Sequence, residues 1–231
     1  MTSIQALTMA SLGIKLLGVL AALSSCLSIM GQQFCEGDLL FACSDSANAI
    51  TAVTSGIEGL PIDHVGIVHR IGGDQGPLYV IEAVKPAVCL TPIDSFLCQN
   101  SMVIVGRVNV EMDVKRSVRQ CLLLVGRPYD DLYLPGDSAL YCSELVQRCF
   151  VNSNDELVFN PIPMSFHDGT GQVTDYWKDF YSRRGMAVPE GEPGTNPGEL
   201  SRRPQVTIIG SLVKGEFVSE EIKNPHLKRD N

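Results

Sequence analysis

The chain has 231 residues, of which 45% are hydrophobic and 19% charged, enough apolar material for one globular domain with a sizeable core. Its formal net charge of −8 argues against a nucleic-acid binder, because neutralising phosphates takes clustered lysine and arginine. No zinc-finger or RNA-binding signature appears, and no CxxC pair or paired Cys/His spacing reads as a metal site. Neither a metal nor a cofactor is expected.

The leader comes first in chain order. No charged residue lies between Lys15 and Glu36, and Leu16–Leu23 forms a compact apolar block followed by Ser24, Ser25 and Ser28. A lysine, an apolar block and then small residues is the layout of a secretory signal. Residues 1–31 are therefore read as a signal peptide or lipoprotein leader. Cleavage is expected before Cys26 or near Gly31. The run Leu23-Ser24-Ser25-Cys26 resembles a lipobox, which makes Cys26 a lipidation candidate and gives a route to membrane association. An exported protein, periplasmic or lipid-anchored, is the expectation. The competing reading is an uncleaved anchor, which the serines, glycines and glutamines of this stretch make a poor one.

Residues 36–213 read as the folded domain and 214–231 as a polar tail. Gly37–Phe41 leads into a short apolar strand, and Asp45–Thr54 reads as a modest helix with Ile50 and Val53 as its contacts. Asp63–Arg70 alternates as a strand, and Leu78–Val84, beyond a glycine-rich turn, reads as its antiparallel partner. Thr91-Pro92-Ile93-Asp94 opens a short helix, with threonine as N-cap and proline at the first position. A strand over 101–110 and an amphipathic helix over 113–125 follow. A further helix begins at Cys142, and another, around 175–181, carries Tyr176, Trp177, Phe180 and Tyr181, whose main role is expected to be packing. Pro189–Pro204 reads as an extended wrap and Gln205–Val213 as a last strand. The sum is α+β.

Eight cysteines are present, and in an exported protein they could pair; the sequence leaves that open. Cys142 stands apart. With Val146 and Cys149 it follows helical spacing i, i+4, i+7 just after a loop containing Pro135 and Gly136. Its thiol therefore falls in a first helical turn, where unpaired N–H groups and the dipole favour a thiolate. A cysteine nucleophile needs a base, and the base an orienting group. His64 is the better base among four histidines, on a strand face shared with Gly66 and Val68, where the missing side chain at Gly66 leaves room for a cleft. His69 falls on the opposite face, and His167 and His226 lie in polar, loop-like surroundings. Glu82 is the one charge inside an apolar strand, expensive to bury unless paired, and can orient His64 if the two strands pair. A solvent-facing Glu82 is the alternative.

Four ordered motifs carry a resemblance: Gly37-Asp38-Leu39-Leu40-Phe41, His64-Val65-Gly66-Ile67, Ile81-Glu82-Ala83, and Tyr141-Cys142-Ser143-Glu144-Leu145. They resemble the YiiX-type permuted papain-like hydrolases, relatives of the NlpC-type peptidases and of the lecithin:retinol acyltransferase group. The resemblance implies a circularly permuted papain-like (NlpC-like) fold, with an antiparallel sheet packed against helices. It implies Cys142 as nucleophile, His64 as general base and Glu82 as orienting group, with Tyr129 and Asp38 as secondary site candidates. The implied activity is hydrolysis of peptide-like or cell-wall-derived amides through a thioester acyl-enzyme. Lipid acyl transfer or lipid hydrolysis, and binding without turnover, are the alternatives. One departure is Asp63, where serine is expected; as a strand neighbour of His64 it should point away from it.

Overall fold

The computed structural model describes residues 34–136 and 138–218. The leader with Cys26, and residues 219–231, lie outside the described residues. Everything that follows belongs to the unit Glu36–Asn231. Among the described residues no helix is long and apolar enough to cross a membrane.

Among the described residues, nine strands and five α-helices follow one another in α+β order. The strands are β1 (Leu39–Cys43), β2 (Ile62–Arg70), β3 (Leu78–Ala83), β4 (Val88–Pro92), β5 (Met102–Val108), β6 (Ile162–Pro163), β7 (Pro193–Gly194), β8 (Val206–Val213) and β9 (Glu216–Val218). The helices are α1 (Ile93–Gln99), α2 (Val114–Leu123), α3 (Cys142–Cys149), α4 (Asp175–Ser182) and α5 (Pro197–Leu200). Seven strands form one antiparallel sheet in the order β4-β3-β2-β1-β5-β8-β9, and β6 pairs with β7. β1 lies at the centre, and all five of its residues are buried. That is why its sequence, Leu-Leu-Phe-Ala-Cys, shows no polar alternation: the sheet is covered on both faces.

One face of the sheet builds the main core. Leu39 and Phe41 of β1, Val65 and Ile67 of β2, and Ile81 of β3 pack with Val118 and Cys121 of α2 and with Leu145, Val146 and Cys149 of α3. Alternation then places Leu40, Ala42, Gly66, Val68 and Val80 on the other face. Between them the β1–β2 register slips by one: Ala42 pairs with His64 while Cys43 pairs with Ile62. Asp63 is the extra residue of a β-bulge, which breaks the two-residue period at that point.

Four sequence expectations change. Residues 45–54 form turns rather than a helix, because the Asn48 side chain takes the backbone N–H groups of Ile50 and Thr51, both at 2.9 Å; asparagine competes with helix in this way. Val88–Pro92 is a strand, and Pro92, not Thr91, is the N-cap of α1. The wrap after Pro189 contains the short strand β7 and helix α5. The sheet also continues past residue 213 through β9, so the segment read as tail starts with a paired strand.

Gly66 leaves no cleft. A Cβ there would lie 2.3 Å from Val80 Cγ1 and 3.5 Å from Glu82 Cβ, so the neighbouring strand already fills the space. We expect Gly66→Ala to force β3 outward and to lower stability by about 1–3 kcal/mol, read as a shifted midpoint in urea denaturation; an unchanged midpoint would count against this packing.

Candidate active site

Cys142 is the first residue of α3, preceded by Tyr141 in extended conformation as N-cap. Its backbone N–H, like the others of a first helical turn, has no carbonyl four residues back to bond. The helix holds Cys142 against the sheet through Leu145, Val146 and Cys149, all at most 1% exposed. Cys121 and Cys149 belong to the same buried stripe, where burial pushes the Cys121 thiol well above its ordinary value, helped by its contact with Cys149. Cys43 is pushed up to about 12 by burial and the nearby carboxylates of Asp63 and Asp45. Cys43, Cys89, Cys98, Cys121, Cys142 and Cys149 are free thiols, and Cys142 alone among them opens onto the pocket described below.

Cys142 is a neighbour of His64 and one of the groups that raise its pKa. On its other side, His64 Nε2 meets Glu82 Oε2 at 2.6 Å. Glu82 is 6% exposed, and its second oxygen accepts a hydrogen bond from Thr91 Oγ1. Cross-strand register explains the arrangement: Glu82 pairs with Cys89, and alternation along β4 puts Thr91 on the Glu82 face. Cys142 thus neighbours His64, His64 meets Glu82, and Glu82 meets Thr91, whose sequence context reads as a helix cap. His69, on the opposite face, pairs with Glu36 at 2.7 Å.

The electrostatics of this chain are mutual. Burial alone would lower the His64 pKa, but the hydrogen bonds to Cys142 and Glu82, with the negative charge of both partners, outweigh it and raise the imidazolium to about 10. Burial opposes the Glu82 carboxylate, yet His64 and then Thr91 bring its pKa below the ordinary value.

Of the secondary candidates, Tyr129 lines the same pocket as Cys142, and its hydroxyl is 3.4 Å from that of Tyr133. Burial, and then the negative charge at Cys142, push its pKa up, so the phenol stays protonated. Asp38 lies elsewhere. It is 1% exposed, and its two oxygens accept from Arg107 Nε and Nη2 at 2.7 and 2.8 Å, clamping β1 to β5.

The pocket encloses about 540 Å³ including its open mouth. Its apolar wall includes Ile50, Val53, Met164 and Phe166, and Trp177 also belongs to it. Trp177 is mainly a core residue: with Phe166 and Tyr181 it forms a second buried cluster, and its Nε1 donates to Ala49 O at 3.1 Å. Asp63 lines the pocket too. It was expected to point away from His64, which does not line the pocket, and it sits at the bulge, where strict alternation ends. Ser143, from the Cys142 motif, lines it as well, together with Thr195 and Asn196, which local pattern does not single out.

A histidine strand that precedes the cysteine helix, both set on an antiparallel sheet, is the arrangement of the permuted papain-like class. The chain belongs to the family described as permuted papain-like amidase enzyme, YaeF/YiiX, C92 family, whose model matches residues 33–210. At family level it is a cysteine hydrolase. Among solved structures it is similar to YiiX from Escherichia coli O157:H7, with a TM-score of 0.64 and 23% identity, over 78% of this chain and 99% of that one. That likeness shows the fold. YiiX is titled a metalloprotein; among the described residues here, no group of three or more His, Cys, Asp or Glu side chains is placed to hold a metal ion. A search of curated proteins returns no match.

The opposed shifts predict a pH window for stability. Glu82, with its pKa lowered on folding, stabilises above its unfolded value near 4.5, and the contribution is lost as pH falls through the folded value. His64, with its pKa raised, stabilises fully below about 6.5, and the contribution is lost as pH rises through about 10. The pair therefore contributes most between roughly 4.5 and 6.5. In Glu82→Gln the decline of urea stability between pH 6.5 and 10 should be shallower than in the wild type; parallel curves would mean that Glu82 does not hold the imidazolium.

Proposed function

We propose that Cys142 is the nucleophile of an amidase, with His64 as its acid–base partner and Glu82 as the group that orients His64. The continuous contact from Cys142 through His64 and Glu82 to Thr91 carries this reading. A nucleophile, a base and an orienting group in series are what covalent acyl transfer requires.

The attacking species in this reading is the Cys142 thiolate, with its proton held by the His64 imidazole. The thiolate attacks the carbonyl carbon of an amide, and the charge moves to the carbonyl oxygen. The Cys142 backbone N–H, free of an intrahelical acceptor, is placed to donate to that oxyanion; one such donor typically accounts for about 10²–10³ in rate. Tyr129 keeps its proton and offers a further donor at the pocket wall. As the C–N bond breaks, His64 gives its proton to the departing amine and a thioester remains on Cys142. His64, now neutral, draws a proton from water as the water attacks the thioester. The acid leaves and the ion pair is restored. The leading substrates are peptide-like or cell-wall-derived amides, and an exported site of action with a lipid on Cys26 belongs to the same proposal. Lipid acyl chemistry calls for an apolar tunnel, whereas this pocket carries Asp63, Thr195 and Asn196 in its walls.

Intact-mass analysis after incubation with a panel of aminoacyl amides, peptidyl amides and lipid esters tests the reading. A trapped acyl group should map to Cys142, and Cys142→Ala should remove both the adduct and turnover, by at least about 10³-fold. An alanine variant that still hydrolyses amides sinks the mechanism.

The pH dependence of kcat/KM gives a separate check. The rate should fall as pH rises through about 10, where His64 loses the proton it must deliver. That limb belongs to the coupled Cys142–His64 pair rather than to one residue. Glu82→Gln removes a negative charge from the imidazolium, so the limb should move to lower pH. A limb that stays in place would show that Glu82 acts only in packing.

A further inference from the structure

The pocket beside Cys142 combines features that the reaction above does not use. Among the described residues, Asp63 is its one carboxylate and no lysine, arginine or histidine lines it. Asp63 Oδ2 accepts from Asn48 Nδ2 at 2.6 Å; Oδ1 takes no hydrogen bond from any described residue, which leaves an acceptor free on a fixed side chain. Five aromatic rings line the same space, those of Tyr129, Tyr133, Tyr141, Phe166 and Trp177. A carboxylate set among aromatic faces is suited to a cation, through ion pairing and through the negative ring faces. Ser143 Oγ and Thr195 Oγ1, on residues 0% and 2% exposed, also line the pocket and have no hydrogen-bond partner. Buried hydroxyls are rarely left unpaired, and both can accept from an N–H donor such as an ammonium, which has three.

The position of His64 says which half of the substrate enters. The imidazole must lie beside the leaving amine to protonate it, and His64 is not among the pocket-lining residues. On that ground the pocket is assigned to the acyl half.

We propose that Asp63 reads a positive charge on the acyl half of the substrate, so that the preferred substrates are amides of acids bearing a protonated amine. This rests on Cys142 being the nucleophile, and it narrows the amide class to cationic acyl groups.

Charged methanethiosulfonates test it without requiring turnover. The thiolate attacks the sulfenyl sulfur, a mixed disulfide forms and methanesulfinate leaves, so the Cys142 rate reports the local field directly. Rates with the 2-aminoethyl, 2-sulfonatoethyl and neutral methyl reagents would be followed by peptide mass mapping. The exposed Cys98 of the same molecule serves as internal reference for the overall negative charge. The aminoethyl-to-sulfonatoethyl ratio should be at least about tenfold higher at Cys142 than at Cys98, and Asp63→Asn should remove most of that excess. Asp63→Ser, which keeps an acceptor for Asn48, guards against a folding defect and should behave alike. The matching kinetic comparison uses 5-aminopentanoyl and hexanoyl 4-nitroanilides, equal in length and differing in charge. The cationic member should have the higher kcat/KM, with the ratio collapsing in both variants. Equal ratios at Cys142 and Cys98, or a preference that survives both substitutions, overturn the proposal. A Cys142 that reacts no faster than Cys98 with the neutral reagent overturns the nucleophile as well, whereas a fast Cys142 without charge preference overturns the role of Asp63 alone.

Discussion

A carboxylate on a buried apolar strand stays ionised only where a cation and hydrogen-bond donors meet it, and Glu82 is met by both. His64 lies at 2.6 Å on one oxygen, and Thr91 donates to the other. Removing one partner of such a pair leaves a buried charge uncompensated, which is costly. Strand order supplies this arrangement. β3 lies between β2 and β4, so the residue that needs two partners has a neighbouring strand on each side to provide them. The Cys142 helix then packs over the same strands and brings its thiol to the free side of His64. Each contact in the series constrains the next, so the site inherits the rigidity of the sheet centre.

Asp38 and Arg107 show the same physics used for another end. Their bidentate pair joins β1 to β5 away from the pocket. Both carboxylates are almost fully buried and both have a nitrogen partner. What separates them is the partner. A guanidinium never gives up its proton, so the Asp38 pair can only clamp. An imidazole can exchange one within the working pH range, and the Glu82 pair leaves its other side turned to a thiol.

The parts of the site carried by regular structure were legible in the sequence. The spacing of Cys142, Val146 and Cys149 showed the helix, and the single charge in Leu78–Ala83 marked Glu82 as a residue in need of a partner. Asp38 misled because a buried acidic residue in an opening motif looks alike whether it serves a site or a clamp; its partner Arg107 lies 69 residues away in sequence. Thr91 misled because Thr-Pro has the composition of a helix start, while its hydroxyl is drawn to Glu82 across a strand that residue patterning did not show. The turn at Asn48 was hidden for a similar reason, since a side chain there takes N–H groups that a helix would have used. In each case a polar side chain chose a partner that local pattern does not encode.

The bulge at Asp63 is the clearest instance, and it ties fold to chemistry. In an unbroken strand, Asp63 and His64 would project to opposite faces, and a carboxylate next to the histidine would be remote from whatever His64 serves. One extra residue between the pairs Cys43–Ile62 and Ala42–His64 shifts the register at this point. The core-facing register of Ile62 is kept, His64 still shares a face with Glu82, and Asp63 is released from the ladder to line the pocket with Cys142. Bulges re-aim side chains in this way next to functional sites. The same slip that keeps Ile62 in the core register while His64 faces Glu82 falls at Asp63, the one carboxylate among the described lining residues of the pocket beside Cys142.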